Sequence, residues 1–511
     1  MVGFFNFVDG GNYGVSPFLL SQTELGELEN GNVSNELGLI TKEPGYFLAG
    51  TQITGRTTKK ILGFTTYYDP ATAITREYAV VNNAADTALE LWTREVVLGV
   101  YTAWAEITAA ESSWITENAK VEFETFINRT FTVAGIDNPS AVLNGTSFAV
   151  TGLAANMPNA KYIKRYRDRL YVAHCKKSGT LFPYRIYFST IPQAGSITWE
   201  DVNFFDVDFG EEITGLESNF DRLLIFTRTK TYIYDQENLK LGWSVGCPDG
   251  RLIASDSVNT VWANSYGVWA TVQGGQPQNI GGKVLPFLRN VFSSIGVVDF
   301  SSAMVDEEYW LVISSSATNI VKGKNYGPLA LVFNFQTSSW RVRNFTEQIP
   351  YIYKFFDPYI DLERLIMGSN LGALWLHSKQ GTELYAPTGD SRPLTSDAYV
   401  NAGSNRAISS SFTLPPFKLE TYDVKMYIEK IVPYTENAGN LELTARILDN
   451  QSEALTPWFP LASLDSYQKE FSGRSIQGTL IQVKGSEVGK NTAWKFYGVE
   501  VELSKSSDLK D

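Results

Sequence analysis

The sequence predicts an all-β chain, a β-propeller of about seven blades followed by a C-terminal antiparallel β-sandwich. Three observations predict it. The composition is 43% hydrophobic with 26 Tyr, 30 Phe and 12 Trp in 511 residues, a mixture that favours strands and is far from that of a disordered chain. Short runs with period-two alternation fill most of the length, separated by Gly, Asn, Asp or Pro turn signals, as in Val121–Ile127, Arg169–Ala173, Arg185–Ser189, Arg222–Thr227, Tyr309–Ile313 and Ala330–Phe335. These runs also fall into groups that repeat one theme: a strand, a tight turn, a strand opening on Arg-Leu or an aromatic pair, then a closing Trp.

The first stretch, residues 1–60, reads as an arm and lead-in to the propeller. Two helical segments are expected, one over 23–29, where Glu24, Leu25, Leu28 and Glu29 share helical spacing, and one over 284–293. Strand groups follow near 61–92, 96–133, 142–175, 183–216, 218–245, 250–280 and 300–342, with a partial group at 350–378. The turn unit recurs as Arg167-Asp-Arg-Leu-Tyr-Val172, Phe220-Asp-Arg-Leu-Leu-Ile225, Val305-Asp-Glu-Glu-Tyr-Trp-Leu311 and Asp361-Leu-Glu-Arg-Leu-Ile366. Closing aromatics are Trp92, Trp199, Trp243, Trp269, Trp340 and Trp375. A four-strand repeat without helices is what a propeller blade needs, because each small sheet buries both faces only when its neighbours stack on it. A pair of stacked sandwiches is the competing architecture, but it requires no recurring turn unit.

The propeller is expected over 61–390, a polar linker over 391–405, the sandwich over 406–505 and a frayed tail over 506–511. The sandwich strands are 407–413, 424–432, 441–447, 480–484 and 494–503, whose clean alternation leaves one wet face per sheet.

Charge and chemistry narrow the function. A net charge of −12 has the wrong sign for a protein that grips phosphate, yet suits a surface past which nucleic acid slides. Cys175 and Cys247 are too few for a disulfide framework and lack zinc spacing; both read as buried small hydrophobes. His174 and His377 read as structural. The N-terminus has no basic residue ahead of its short apolar run, so no secretory signal is read there, and no window approaches a membrane span. Phosphate-loop and nucleophile-elbow motifs are absent. The carboxylates Glu200, Asp201, Asp206, Asp208, Glu211 and Glu212 near Trp199 read as acidic blade ends, since nothing singles out a catalytic pair. No catalytic, cofactor or metal residue is assigned. The densest basic cluster, Lys161, Lys164, Arg165, Arg167 and Arg169 among Tyr162, Tyr166 and Tyr171, is the one candidate interaction patch, with a solvated strand edge as its plainer reading.

The order of several segments carries a family likeness. Gly10-Gly-Asn-Tyr-Gly-Val-Ser-Pro-Phe-Leu-Leu20, Glu24-Leu-Gly-Glu-Leu-Glu-Asn30 and Glu43-Pro-Gly-Tyr46 come first. Ala160-Lys-Tyr-Ile163 with Arg167–Ala173, Ile186–Ser189 and Trp199 come next, then Glu212-Ile-Thr-Gly-Leu216, Asp221–Phe226 and Thr231-Tyr-Ile-Tyr234. Leu331–Trp340, Gly368–Trp375 and Phe496-Tyr-Gly-Val-Glu-Val501 complete the series. In this order the chain resembles the β-propeller tail nozzle and neck proteins of tailed bacteriophages; residues 70–120 match least. The resemblance implies a non-enzymatic virion component, assembled in the bacterial host cytoplasm, that forms a ring, a hexamer by family expectation. Its partners would be its own copies, the portal, the adaptor and other tail proteins, with genomic DNA retained and then passed without sequence-specific binding. A carbohydrate-binding or glycoside-cleaving propeller and a general protein-interaction propeller are the alternatives.

Overall fold

The computed structural model describes residues 2–505 apart from single positions, short gaps, and the longer stretches 34–38, 108–113, 115–120, 150–155, 293–298, 315–318, 378–395, 399–404, 418–425, 437–440, 449–456, 465–476 and 488–493. Seven antiparallel sheet units follow one another along the chain, each of four strands except the first, which has five; the sixth is part of a larger sheet. We number them blades I to VII: Ile61–Glu106, Glu122–Ala149, Asn159–Asp206, Ile213–Trp243, Ile253–Asn279, Phe300–Asn344 and Tyr351–His377. Their innermost strands pack side by side in this order, and that of blade VII returns onto that of blade I, so the ring is closed and the blade count is seven.

Blade VII supplies only three strands of its own. Its outer strand is Tyr46–Leu48 from the N-terminal arm, paired antiparallel with Leu374–His377. Tyr46 is buried at this seam, edge-on to Trp375 with ring centroids 5.3 Å apart. The arm therefore does more than lead in, since it closes the ring between its two ends.

The same arm builds the sandwich. Val2–Phe5 and Ile40–Lys42 both pair with Lys495–Lys505, and Glu27–Glu29 pairs with Ser410–Thr413. Glu29 also stands parallel to Val342 on the outer strand of blade VI. The three residues Glu27–Glu29 thus sit inside one nine-stranded sheet that runs from blade VI into the sandwich. The helix expected over 23–29 is not formed. Leu28 is buried in the sandwich core while Glu27 and Glu29 both meet Lys324 on the other face, which is a strand's alternation. The helix expected over 284–293 is present as Leu285–Phe292.

Blade boundaries differ from the strand groups expected at 96–133, 142–175 and 183–216, which run out of phase with blades II, III and IV. The closing Trp misled that division. Only Trp243 and Trp340 lie on outer strands; Trp92, Trp269 and Trp375 lie on third strands and Trp199 on a loop. The turn unit was the reliable marker. In blades III, IV and VI it forms the two-residue turn between the first and second strands, and in blade VII its Leu362–Gly368 part is the second strand. Most of the linker expected at 391–405 and the tail at 506–511 lie outside the described residues; within 391–407, Ser396–Ala398 pairs with Asn405–Ala407.

Candidate functional site

Propeller sites gather on the axis and at its two mouths, because the innermost strands and their connecting turns converge there. At the mouth where these strands begin, six blades each place one charge: Lys60 in I, Glu122 in II, Lys161 in III, Glu212 in IV, Arg251 in V and Asp299 in VI. Taken round the ring, their signs alternate. Lys60 Nζ is 3.2 Å and Arg251 Nη1 3.9 Å from Asp299, while Asp249 takes a second Arg251 nitrogen at 2.7 Å. Glu122 Oε2 accepts the Ile163 N–H at 3.1 Å, joining blades II and III. An acidic chain closes its axis in this way without massing like charges.

Deeper along the axis, Lys164 Nζ lies 2.6 Å from Glu217 Oε1. Burial opposes the charge on Lys164, but Glu217 and Glu124 outweigh it and hold its pKa above that of a free lysine. Burial, with Glu217 adding like charge, pushes Glu124 up to about 7 against the pull of Lys164. Tyr353 of blade VII shares a 3.3 Å hydroxyl contact with Thr65 of blade I, and Tyr351 donates to Phe64 O at 3.2 Å. Of these groups Glu124 is the one brought to where it exchanges a proton near neutral pH, while burial keeps the Tyr351 and Tyr353 hydroxyls neutral.

The predicted basic patch is not one surface. Lys164 turns to the axis as described, and Arg165 lies over Phe126 of blade II at 5.4 Å. Arg167 caps the turn and pairs with Asp221 of blade IV, also donating to Gln236 Oε1 at 2.9 Å. Arg169 covers Phe188 at 5.0 Å and donates to Ser189 O at 3.3 Å. Lys161 belongs to the charged mouth. Four of the five therefore tie blade III to its neighbours or to itself.

His174 is buried, its Nδ1 3.2 Å from Ile213 O, and burial followed by the charge of Lys161 lowers its pKa. Cys175 and Cys247 are buried and free, and burial raises both thiols. Among the described residues no group of three or more His, Cys, Asp or Glu side chains is arranged to hold a metal, and no helix is long and apolar enough to cross a membrane.

Sequence reasoning missed the opposite mouth. A cleft of about 530 Å3 opens there between the turns of blades V, VI and VII, with Asp256, Asp306, Glu307, Lys354 and Glu363 on its walls above Val258, Met304 and Phe335. Lys354 is paired to Glu363 at 3.0 Å. Asp306 and Glu307 were visible in the sequence as a turn, but their convergence with blades V and VII depends on ring closure.

No family model and no curated protein matches the chain. Among solved structures it is similar to the extracellular domain of the one-component system BT4673 from B. thetaiotaomicron, at 11% identity and a TM-score of 0.42, covering 94% of this chain and 63% of that one. It is also similar to the Dos1 propeller, at 12% identity and a TM-score of 0.38, covering 65% and 95%. A third likeness is to the Aleuria aurantia lectin, at 14% and 0.29, covering 56% and 94%. The likeness is one of fold alone. The chain spans less than two thirds of the BT4673 domain.

Proposed function

We propose that this chain is a structural component of a tailed-phage tail, one of several copies that together surround the path by which the genome leaves. The observation that carries the reading is the continuous sheet joining blade VI to the sandwich through Glu27–Glu29. Strand pairing across the junction makes the two parts one stiff body, which suits a component whose task is to hold a shape under load. The order of sequence motifs and the acidic surface support the same reading.

The axis adds a geometric condition. Charged side chains and tyrosines from several blades converge there, which favours a path for the duplex outside the propeller itself. In this reading the exit path runs between copies, and a closed ring of copies needs two different contact patches on each. Electron microscopy of the purified chain, alone and mixed with a portal–adaptor complex, tests this. Rings, or density added to the complex, are the expected result; a monomer at every concentration that also ignores the complex overturns it.

The acidic cleft at the far mouth favours a second reading, a propeller that binds a carbohydrate or a cationic ligand on that face. Glycan-array binding or glycosidase turnover abolished by Glu307→Gln would support it.

A further inference from the structure

A second cluster of cations sits on the sandwich, on the face that Glu27 and Lys324 also approach. Arg446 on strand Leu441–Leu448 stands directly opposite Gln482 on strand Leu480–Glu487, and Lys484 follows two residues later. Period two puts these three side chains on one face, while Ile481 and Val483 turn into the core.

Arg446 is held by a side-chain amide, as Arg343 also is by that of Asn30, and unlike three other fixed arginines of this chain. Arg94, Arg185 and Arg341 each rest on a carboxylate, of Glu77, Asp206 and Glu43. Arg446 donates through Nε and Nη2 to a single neutral acceptor, Gln482 Oε1, at 3.0 and 2.7 Å. Gln482 is only 1% exposed and is itself anchored by donating to Leu414 O at 2.9 Å. A buried amide in the place of a carboxylate orients the guanidinium without discharging it, and it leaves Nη1 free of that contact.

Trp458 completes the arrangement. The Arg446 guanidinium lies 4.4 Å and the Lys484 ammonium 5.8 Å from its ring centroid. Among the described residues, no carboxylate comes within ion-pair distance of either cation. The nearby acids Glu27 and Glu29 are engaged by Lys324. Burial and then the charge of Lys324 hold the Lys484 pKa down, and burial does the same to Arg446. Two cations approach one aromatic ring, and among the described residues their nearest acids, Glu27 and Glu29, favour their charge from beyond ion-pair distance, an unusual cost in a chain carrying twelve excess acidic residues.

We propose that Arg446, Lys484 and the face of Trp458 form a binding site for a phosphate-type oxyanion, either a free phosphate group or the phosphodiester of a nucleic-acid strand. Arg446 supplies a directed donor pair, Lys484 a mobile charge, and Trp458 a wall that excludes water from one side. The site stands apart from the phage reading, since neither the ring nor the exit path enters its argument.

Calorimetric titration of the full chain at low salt tests it, with inorganic phosphate, pyrophosphate and a ten-nucleotide single strand as probes. At least one probe is expected to bind. Arg446→Gln and Lys484→Gln, each confirmed to melt as the parent does, should weaken it tenfold or more. Gln482→Glu should have the same effect by neutralising Arg446 while both cations remain. Binding of phosphate or pyrophosphate alone identifies a free anion; binding of the strand with a steep salt dependence identifies a nucleic-acid backbone. No binding of any probe, or unchanged binding in Arg446→Gln, overturns the proposal.

Discussion

Lys42 and Glu487 meet at 2.6 Å with both side chains wholly out of solvent. Lys42 ends the arm strand Ile40–Lys42, and Glu487 ends a strand of the opposite sandwich sheet, so one ion pair staples the arm across the sandwich. Removing one partner breaks a buried ion pair, a loss of about 3–5 kcal/mol. Lys42→Met should therefore lower the melting midpoint sharply, and Lys42→Met with Glu487→Leu should recover much of the loss. Calorimetry of the three proteins checks both steps.

Glu43 joins the arm to the propeller. Its carboxylate is buried, which alone would raise its pKa, but Arg341 at 2.9 Å and His377 at 3.5 Å hold it down to about 2. Its folded pKa lies below the unfolded one. The stabilisation is therefore complete above about pH 4.5 and drains away as pH falls toward 2, amounting to about 3 kcal/mol. Glu43→Gln should flatten the acid limb of a stability profile between pH 5 and 2.5. An acid limb as steep as the parent's would contradict this.

Glu124 has the opposite sign. Its folded pKa is pushed up to about 7, so it costs stability as pH rises from about 4.5 through 7. Glu124→Gln should raise the midpoint at pH 8 by roughly 2 °C and change it little at pH 4.5. A pair of thermal scans at the two pH values decides it.

Much of this was legible in the sequence. Strand content, the sandwich strands, the short helix at Leu285–Phe292 and a count of about seven blades follow from period-two runs and turn residues, which act over a few positions. The fate of the arm was not. Tyr46–Leu48 pairs across more than 300 residues, and Glu27–Glu29 looks helical because Glu24, Leu25, Leu28 and Glu29 repeat at a helix's spacing; pairing on both edges overrode it. The partners of the basic cluster were hidden for a related reason. Lys164 and Arg167 find Glu217 and Asp221 only when blade IV stacks beside blade III.

The ring seam rests on Tyr46, packed between Trp375 and Phe345. Tyr46→Ala should cost about 3–5 kcal/mol. Its distinguishing sign is where the damage appears. Amide exchange should quicken first in Leu374–His377 and in the first strand of blade I, Ile61–Asp69; uniform quickening across all blades would argue against a localised seam.

Four first-hairpin turns start with a non-glycine residue in the left-handed region: Ile127, Arg167, Phe220 and Asp306, with φ of 52°, 50°, 53° and 48°. Phe220 is also 76% exposed, so little packing offsets its strain. Phe220→Gly should stabilise the chain by about 1 kcal/mol, read as a higher denaturation midpoint. A loss of stability would show that the exposed ring has a contact role within the fold.

The strand Val2–Phe5 lies against Lys495–Lys505, so residues near the two ends of the numbering are neighbours in space. Between them the chain must complete the ring and then most of the sandwich. Until Lys495–Lys505 is in place, Val2–Phe5 lacks the strand it pairs with and the hairpin of Gly31–Val33 with Ile40–Lys42 keeps one edge open to other chains. Assembly is thus sequential by construction: a chain cut short before that final strand keeps an adhesive arm, and clumping of such fragments is the form in which incomplete synthesis would reveal itself.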